Sequence, residues 1–206
     1  MIDGTLVTLA QAAREAMRQA SAALIASDPT LAQQVTVRDA EIDVLARVLD
    51  DRVYELVAQQ HPDGDDARRL LSALRVGAHL ERMGDLAVHV ARATLRRHPV
   101  PAAAAELAGI LGQMGAAADD LAGKVVAALA DRDTELAGRL DKDDDAMDEL
   151  HRRLFTVMLS PEWPLGVEAA IDGALLGRFY ERYADHAVDI GRHVLRLYGD
   201  GSKLAE

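Results

Sequence analysis

Eight carboxylates fall into four pairs with four-residue spacing: Asp39 and Asp43, Glu81 and Asp85, Asp144 and Asp148, Glu181 and Asp185. Residues i and i+4 lie on one face of a helix, so each pair aims two oxygen donors the same way. Like charges at that spacing cost an isolated helix about 0.2–0.5 kcal/mol per pair. Writing the arrangement four times asks for a compensating cation. Clustered carboxylates on facing helices suit hard or borderline ions: Mg²⁺, Mn²⁺, or iron in a carboxylate cluster. The plainer alternative is a solvated acidic face paired with Arg82, Arg178 and Arg182. His89 and His186 are optional further ligands, whereas His79, His98 and His151 have no partner at ligand spacing and read as surface residues.

The pairs recur because the chain recurs. "LERMGDLAVHVAR" (80–92) and "YERYADHAVDIGR" (180–192) share six of thirteen positions at an offset of 100 residues. "LAQQVTVRDAEID" (31–43) aligns with "LAGRLDKDDDAMD" (136–148) at an offset of 105, and Gly77 aligns with Gly177. Self-similarity on this scale marks a duplicated structural unit. The spacing predicts two units, 1–98 and 102–206, joined near "HPVP" (98–101).

Helical periodicity runs through both units and is broken by Pro- and Gly-containing stretches. It predicts six helices, over 3–26, 29–60, 65–97, 102–130, 133–159 and 164–198, with Asp28 and Asp65 as caps and Pro29 in a first turn. The fold class is therefore all-α: two tandem three-helix up-down bundles related by pseudo-twofold symmetry. Half the residues are hydrophobic but only 3% aromatic, a balance that favours packed helices over sheets. The core faces are Val76, Leu80, Met83, Ala87 and Val90 in one unit, and Leu176, Tyr180, Tyr183, Ala187, Ile190 and Val194 in the other. Trp163, in "SPEWP", is expected to plug a bundle end.

Depth along the rods tests convergence. Asp43 and Glu81 each lie about 25 Å from the loop joining their helices, so the first four acids can meet. In the second unit Asp148 and Glu181 differ in depth by roughly 9 Å, which a longer loop or a shifted boundary must absorb. Gly77, Gly84, Gly177 and Ala184 flank the acids, and each helix-interior Gly costs roughly 1 kcal/mol relative to Ala, so they are expected to provide clearance.

Other classes drop out. There is no cysteine, which removes disulfides and thiolate metal sites. A net charge of −11 opposes nucleic acid, and the basic residues cluster only briefly, at Arg96, Arg97 and His98. Neither a signal peptide nor a membrane span is expected, because polar residues interrupt every long apolar run, including the Ala-rich fourth helix with Glu106, Asp119, Asp120 and Lys124. There is no Gly-rich phosphate loop, no G-x-S-x-G and no H-E-x-x-H.

The doubled pattern resembles the PhoU family of phosphate-signalling regulators: "RDAEID" and "HLERMGDLAVHVAR" in the first unit, "DDAMDELHRRLF" and "FYERYADHAVDIGRHV" in the second. The resemblance covers nearly the whole chain, and the composition is similar to actinobacterial versions. It implies a cytoplasmic, homodimeric adaptor, not an enzyme and without catalytic residues. Such an adaptor links the ATPase subunit of the phosphate ABC transporter to its sensor histidine kinase and represses the phosphate-starvation response when phosphate is plentiful. It would reach the membrane through partners only. The resemblance also implies multinuclear iron, or divalent Mn, Mg or Zn, held by Asp39, Asp43, Glu81, Asp85, Asp144, Asp148, Glu181 and Asp185. His89 and Asp189 stand where the family commonly has Asn, and the first helix is shorter than the family's.

Two enzyme readings compete. "DDAMD" (144–148) contains the Asp-Asp-x-x-Asp with which prenyl-diphosphate synthases hold Mg²⁺ and a diphosphate. The scarcity of aromatics and the lack of a doubled acid in "DAEID" and "ERMGD" weigh against it. A ferritin-like di-iron site needs Glu-x-x-His on two helices, and the third and sixth predicted helices lack it.

Overall fold

A computed structural model describes residues 2–60 and 62–199. Among these, regular structure is helical throughout: α1 (Ile2–Ala26), α2 (Pro29–Gln60), α3 (Gly64–Arg97), α4 (Ala105–Asp131), α5 (Thr134–Asp143), α6 (Asp145–Met158) and α7 (Gly166–Tyr198). His61, at the start of one predicted break, and residues 200–206 of the second predicted unit lie outside the described residues.

Local chemistry sets the boundaries. Asp28 caps α2 as expected, its Oδ1 accepting from the backbone N–H groups of Thr30 at 2.9 Å and Leu31 at 3.1 Å. The cap of α3 is Asp63 rather than Asp65. Asp63 Oδ1 accepts from the N–H groups of Asp65 and Asp66, leaving those two acids in the first turn, where the helix dipole favours them. The fourth predicted helix starts late, at Ala105, because Ala102 and Ala103 are buried in the turn before it.

The fifth predicted helix is two helices. It breaks at Asp144, where Met147 N–H bonds the Asp144 carbonyl three residues back, at 2.8 Å, tightening the rod into a single short turn. The last helix begins at Gly166 rather than 164, after a turn in which Trp163 Nε1 donates to the Gly166 carbonyl at 2.8 Å. Gly166 sits at φ +76, a region that side chains disfavour. Trp163 is partly buried against the core at that end of the second bundle.

Helices α1–α3 form one three-helix bundle and α4–α7 the other, and their apolar faces merge in one continuous cluster. Both predicted stripes are buried throughout. Helices α3 and α7 cross antiparallel between the halves: Arg97 Nε pairs with Asp172 Oδ2 at 2.7 Å, the His89 and Phe179 rings stack at 5.0 Å, and His79 meets His186. Beside them α1 is fastened to the second half. Arg14 holds Asp119 through two bonds of 2.7 and 2.9 Å, Tyr180 OH donates to Ser21 Oγ, and Tyr183 OH donates to the Ala13 carbonyl. The described helix α4 packs as a bundle helix, and no described helix is long and apolar enough to cross a membrane.

Candidate metal centres

The first cluster spans α2 and α3. Gly77 and Gly84 let the two helices close: a Cβ at Gly77 would meet Leu49 Cδ2 at 2.4 Å, and one at Gly84 would meet Ile42 Cδ1 at 2.9 Å. The clearance thus admits side chains of α2. The same close approach carries Asp39 Oδ1 to 3.7 Å from the Cβ position over Gly84, directly across α3.

The four acids sense one another. Burial pushes the Asp39 carboxyl up, and Asp43 and Asp85 push it further, against the pull of Arg92 and His89. Glu81 is also raised, first by burial and then by Asp85, Asp43 and Asp50, with Arg82 opposing. Asp85 has a guanidinium partner, Arg82 Nη1 at 2.9 Å.

The second cluster forms at the α5–α6 break against α7. Counted from the turn over 159–165, the expected difference in depth between Asp148 and Glu181 persists; Asp144, fourteen residues before Met158, is the acid that shares the depth of Glu181, fifteen residues after Gly166. Gly177 provides the close approach here, since a Cβ would meet Leu154 Cδ2 at 2.4 Å and His151 Cδ2 at 3.1 Å. Asp144 carries the clearest electrostatic signature of the chain. Its carboxyl is pushed up from 3.8 to about 7, by burial first and then by Asp148, Asp185, Glu181 and Asp141. Its Oδ1 is buried without a hydrogen-bond partner. Arg178 Nη1 neutralises Glu181 at 2.6 Å. Asp148 and Asp185 are exposed.

A polar cavity of about 280 Å³ adjoins this cluster, with Asp141, Asp144, Asp185, His186, Asp189 and Arg192 in its wall. Asp141 and Asp50 are members that the four-residue pairing did not single out. Asp50 lies seven residues after Asp43 on the same face of α2, and Asp141 lies seven residues before Asp148, across the α5–α6 break.

Among the described residues no three of the eight carboxylates bring ligand oxygens within 4.8 Å of one another, so each cluster is an open acidic face rather than a closed cage. The donor chemistry fits a hard or borderline divalent ion. Oxygen donors are gathered, burial and neighbouring acids hold the Asp39 and Asp144 carboxyls up, and one buried oxygen has no partner. A cation there would supply the missing positive charge and draw α2 against α3, or the α5–α6 joint against α7.

Two histidines differ from expectation. His79 is half-buried, with Nδ1 at 3.0 Å from His186 Nδ1, because the antiparallel α3–α7 crossing brings together residues 107 apart in sequence. His151 is half-buried against Gly177, edge-on to Phe155, and its Nε2 is buried without a partner. His98 is exposed, as expected. Tyr180 and Tyr183 are fully buried packing residues, also as expected.

Comparison with known proteins places this geometry. The family model described as the PhoU domain matches residues 6–94 and 111–194. The chain is 42% identical over 180 residues to the phosphate-specific transport system accessory protein PhoU homolog 2 of Mycobacterium tuberculosis, covering 87% of this chain and 84% of that protein. It is 40% identical over 193 residues to PhoU homolog 1 of the same organism, covering 93% and 87%. The crystal structure of PhoU from Pseudomonas aeruginosa superposes with a TM-score of 0.83 at 26% identity, over 95% of this chain and 94% of that one. The phosphate transport system regulatory protein PhoU from Streptococcus pneumoniae shares the fold, with a TM-score of 0.80 at 21% identity over 100% and 96%.

Proposed function

The chain belongs to the PhoU family, and from that membership we propose that it represses phosphate uptake and the phosphate-starvation response when phosphate is plentiful. Proteins of this family are accessory and regulatory components of phosphate transport rather than enzymes. In the proposed role this one is a cytoplasmic, homodimeric adaptor between the ATPase subunit of the phosphate ABC transporter and the sensor histidine kinase. The observation that carries the reading is the match, over 87% of the chain, to a phosphate-specific transport accessory protein.

The two acidic faces support a cation-dependent form of that adaptor. Iron, Mn²⁺, Mg²⁺ or Zn²⁺ at Asp39, Asp43, Glu81 and Asp85, and at Asp144, Asp148, Glu181 and Asp185, would offset the burial and like-charge repulsion that together raise Asp39, Glu81 and Asp144. Bound cations would turn two strongly negative surfaces into surfaces that a partner can meet without a charge penalty.

Deletion in a strain without a second homologue tests the regulatory role: starvation-gene transcription and phosphate uptake should rise in phosphate-rich medium. Unchanged transcription there refutes it. Elemental analysis of protein purified without chelator tests the cation separately. The variant with Glu81, Asp85, Glu181 and Asp185 replaced by Ala should bind less metal than its parent; equal metal content in both proteins removes the clusters from the proposal.

A further inference from the structure

We propose a second kind of metal site, next to the second carboxylate face but with its own ligands, and independent of the regulatory reading: a zinc-class site at the α3–α7 crossing, made by His79, His186 and Asp189 with His193 beside them. Among the described residues these first three are the only set of His, Asp or Glu side chains whose ligand atoms all lie within 4.8 Å of one another. His186, Asp189 and His193 follow one another at i, i+3 and i+7, so they form one face of α7. His79 faces them from α3, with its Nδ1 at 3.0 Å from His186 Nδ1 and its ring 5.5 Å from the His193 ring.

The separation suits a shared ion. Two imidazole nitrogens at the usual zinc distance of about 2.0–2.1 Å are roughly 3.3 Å apart on a tetrahedron, so the observed pair needs to open by only a few tenths of an ångström. His193 is only 8% exposed, and its Nδ1 is buried without a hydrogen-bond partner. Such an atom calls for a proton donor or a metal. Asp189 Oδ1 accepts from Arg192 Nη1 at 2.9 Å, an orienting contact of the kind that ligand carboxylates carry. The cavity of about 280 Å³ has His186 and Asp189 in its wall and gives an ion a way in.

A packing role does not explain the histidines, and the chain supplies its own control. The offset of 100 residues pairs His79 with Phe179, His186 with Leu86, Asp189 with His89 and His193 with Ala93. The symmetry-related crossing is present: His89 stacks on Phe179 at 5.0 Å, while Leu86 and Ala93 are buried. One fold thus fills the same helix crossing with Phe179, Leu86, Ala93 and a single imidazole, His89, on one side, and with three imidazoles and a carboxylate on the other. Imidazole nitrogens with one carboxylate select a borderline transition ion, Zn²⁺ foremost, where the oxygen faces select harder ones.

Co²⁺ titration of the chelator-stripped full chain tests the site, because four-coordinate ligation by imidazoles and one carboxylate gives visible bands that six-coordinate oxygen ligation gives only weakly. One equivalent should develop the bands, and Zn²⁺ should displace them. The His79→Phe, His186→Leu double variant installs the residues of the symmetry-related crossing and should lose the bands while keeping its helical circular dichroism. Should that variant fail to fold, His79→Gln keeps the size and polarity and should weaken Co²⁺ binding at least about tenfold. A variant with Asp144, Asp148 and Asp185 replaced by Asn and Glu181 by Gln should keep the bands. Absence of bands in the parent chain, their persistence without His79, or their loss with the carboxylates alone would each overturn the proposal.

Discussion

Replacing Asp144 with Asn removes a charge and no other interaction that the structure uses. Its Oδ1 accepts no hydrogen bond, and its side chain does not cap α6. In the metal-free chain the carboxyl is pushed from 3.8 to about 7. Undiminished, that difference corresponds to roughly 4 kcal/mol. The residue is only half-buried, so solvent screening reduces the expected effect to about 1–2 kcal/mol. The sign follows from proton linkage. A raised folded-state value means that the folded chain holds this proton more tightly than the unfolded chain does. Stability therefore falls as pH rises from about 4 to about 7, and the full cost persists above that window. Urea denaturation in the presence of chelator, at pH 4.5 and pH 8 by design, reads this directly. The Asp144→Asn chain should be more stable than its parent by about 1–2 kcal/mol at the higher pH and nearly equal at the lower. Adding Mn²⁺ at the higher pH should stabilise the parent more than the variant. If the variant gains nothing at the higher pH, or keeps the parent's pH dependence, Asp144 is not under the burial and repulsion argued for it.

Two further outcomes test the framework that positions the acids. A Cβ at Gly191 on α7 would fall 2.7 Å from the Ala137 carbonyl oxygen, part of the α5 backbone, and 2.8 Å from Leu140 Cδ1. Gly191→Ala should therefore destabilise by about 1–3 kcal/mol despite its better helix propensity, whereas Gly109→Ala on α4, where nothing lies within 4 Å, should be neutral or stabilising in the same thermal melts. Tyr183→Phe leaves the buried Ala13 carbonyl without the hydroxyl that reaches it at 3.2 Å, and should cost about 1 kcal/mol in urea denaturation without changing metal content.

The architecture was largely legible in the sequence because helical period, Ala and Leu content and the two core stripes all demand the same rods. Asp28 capped α2 as its position foretold, but Asp63 displaced Asp65 on α3. Several acids near a helix start compete for one role, and backbone geometry alone chooses among them. The break at Asp144 was hidden for a related reason. "KDDDAM" contains neither Pro nor Gly, so nothing in it interrupts the pattern, and only the backbone path between α4 and α7 reveals the short turn. The acid pairs were visible through their spacing. The rise at Asp144 was not, since burial and the approach of α7 create it together.

Duplication explains which features a sequence exposes and which it conceals. Features kept in both copies, such as Glu81 with Glu181, Asp85 with Asp185 and Gly77 with Gly177, emerge from aligning the chain with itself. Features present in one copy vanish from that alignment. His79 aligns with Phe179 at offset 100 and matches nothing, yet its partners His186 and Asp189 lie across the crossing that the pseudo-twofold creates. A duplicated bundle supplies two equivalent niches from one fold, and the packing of the first can be met with Phe and Leu while the second acquires different chemistry. On this reasoning the paired acids belong to what the two halves do alike, and the histidine crossing belongs to what distinguishes the second niche from the first.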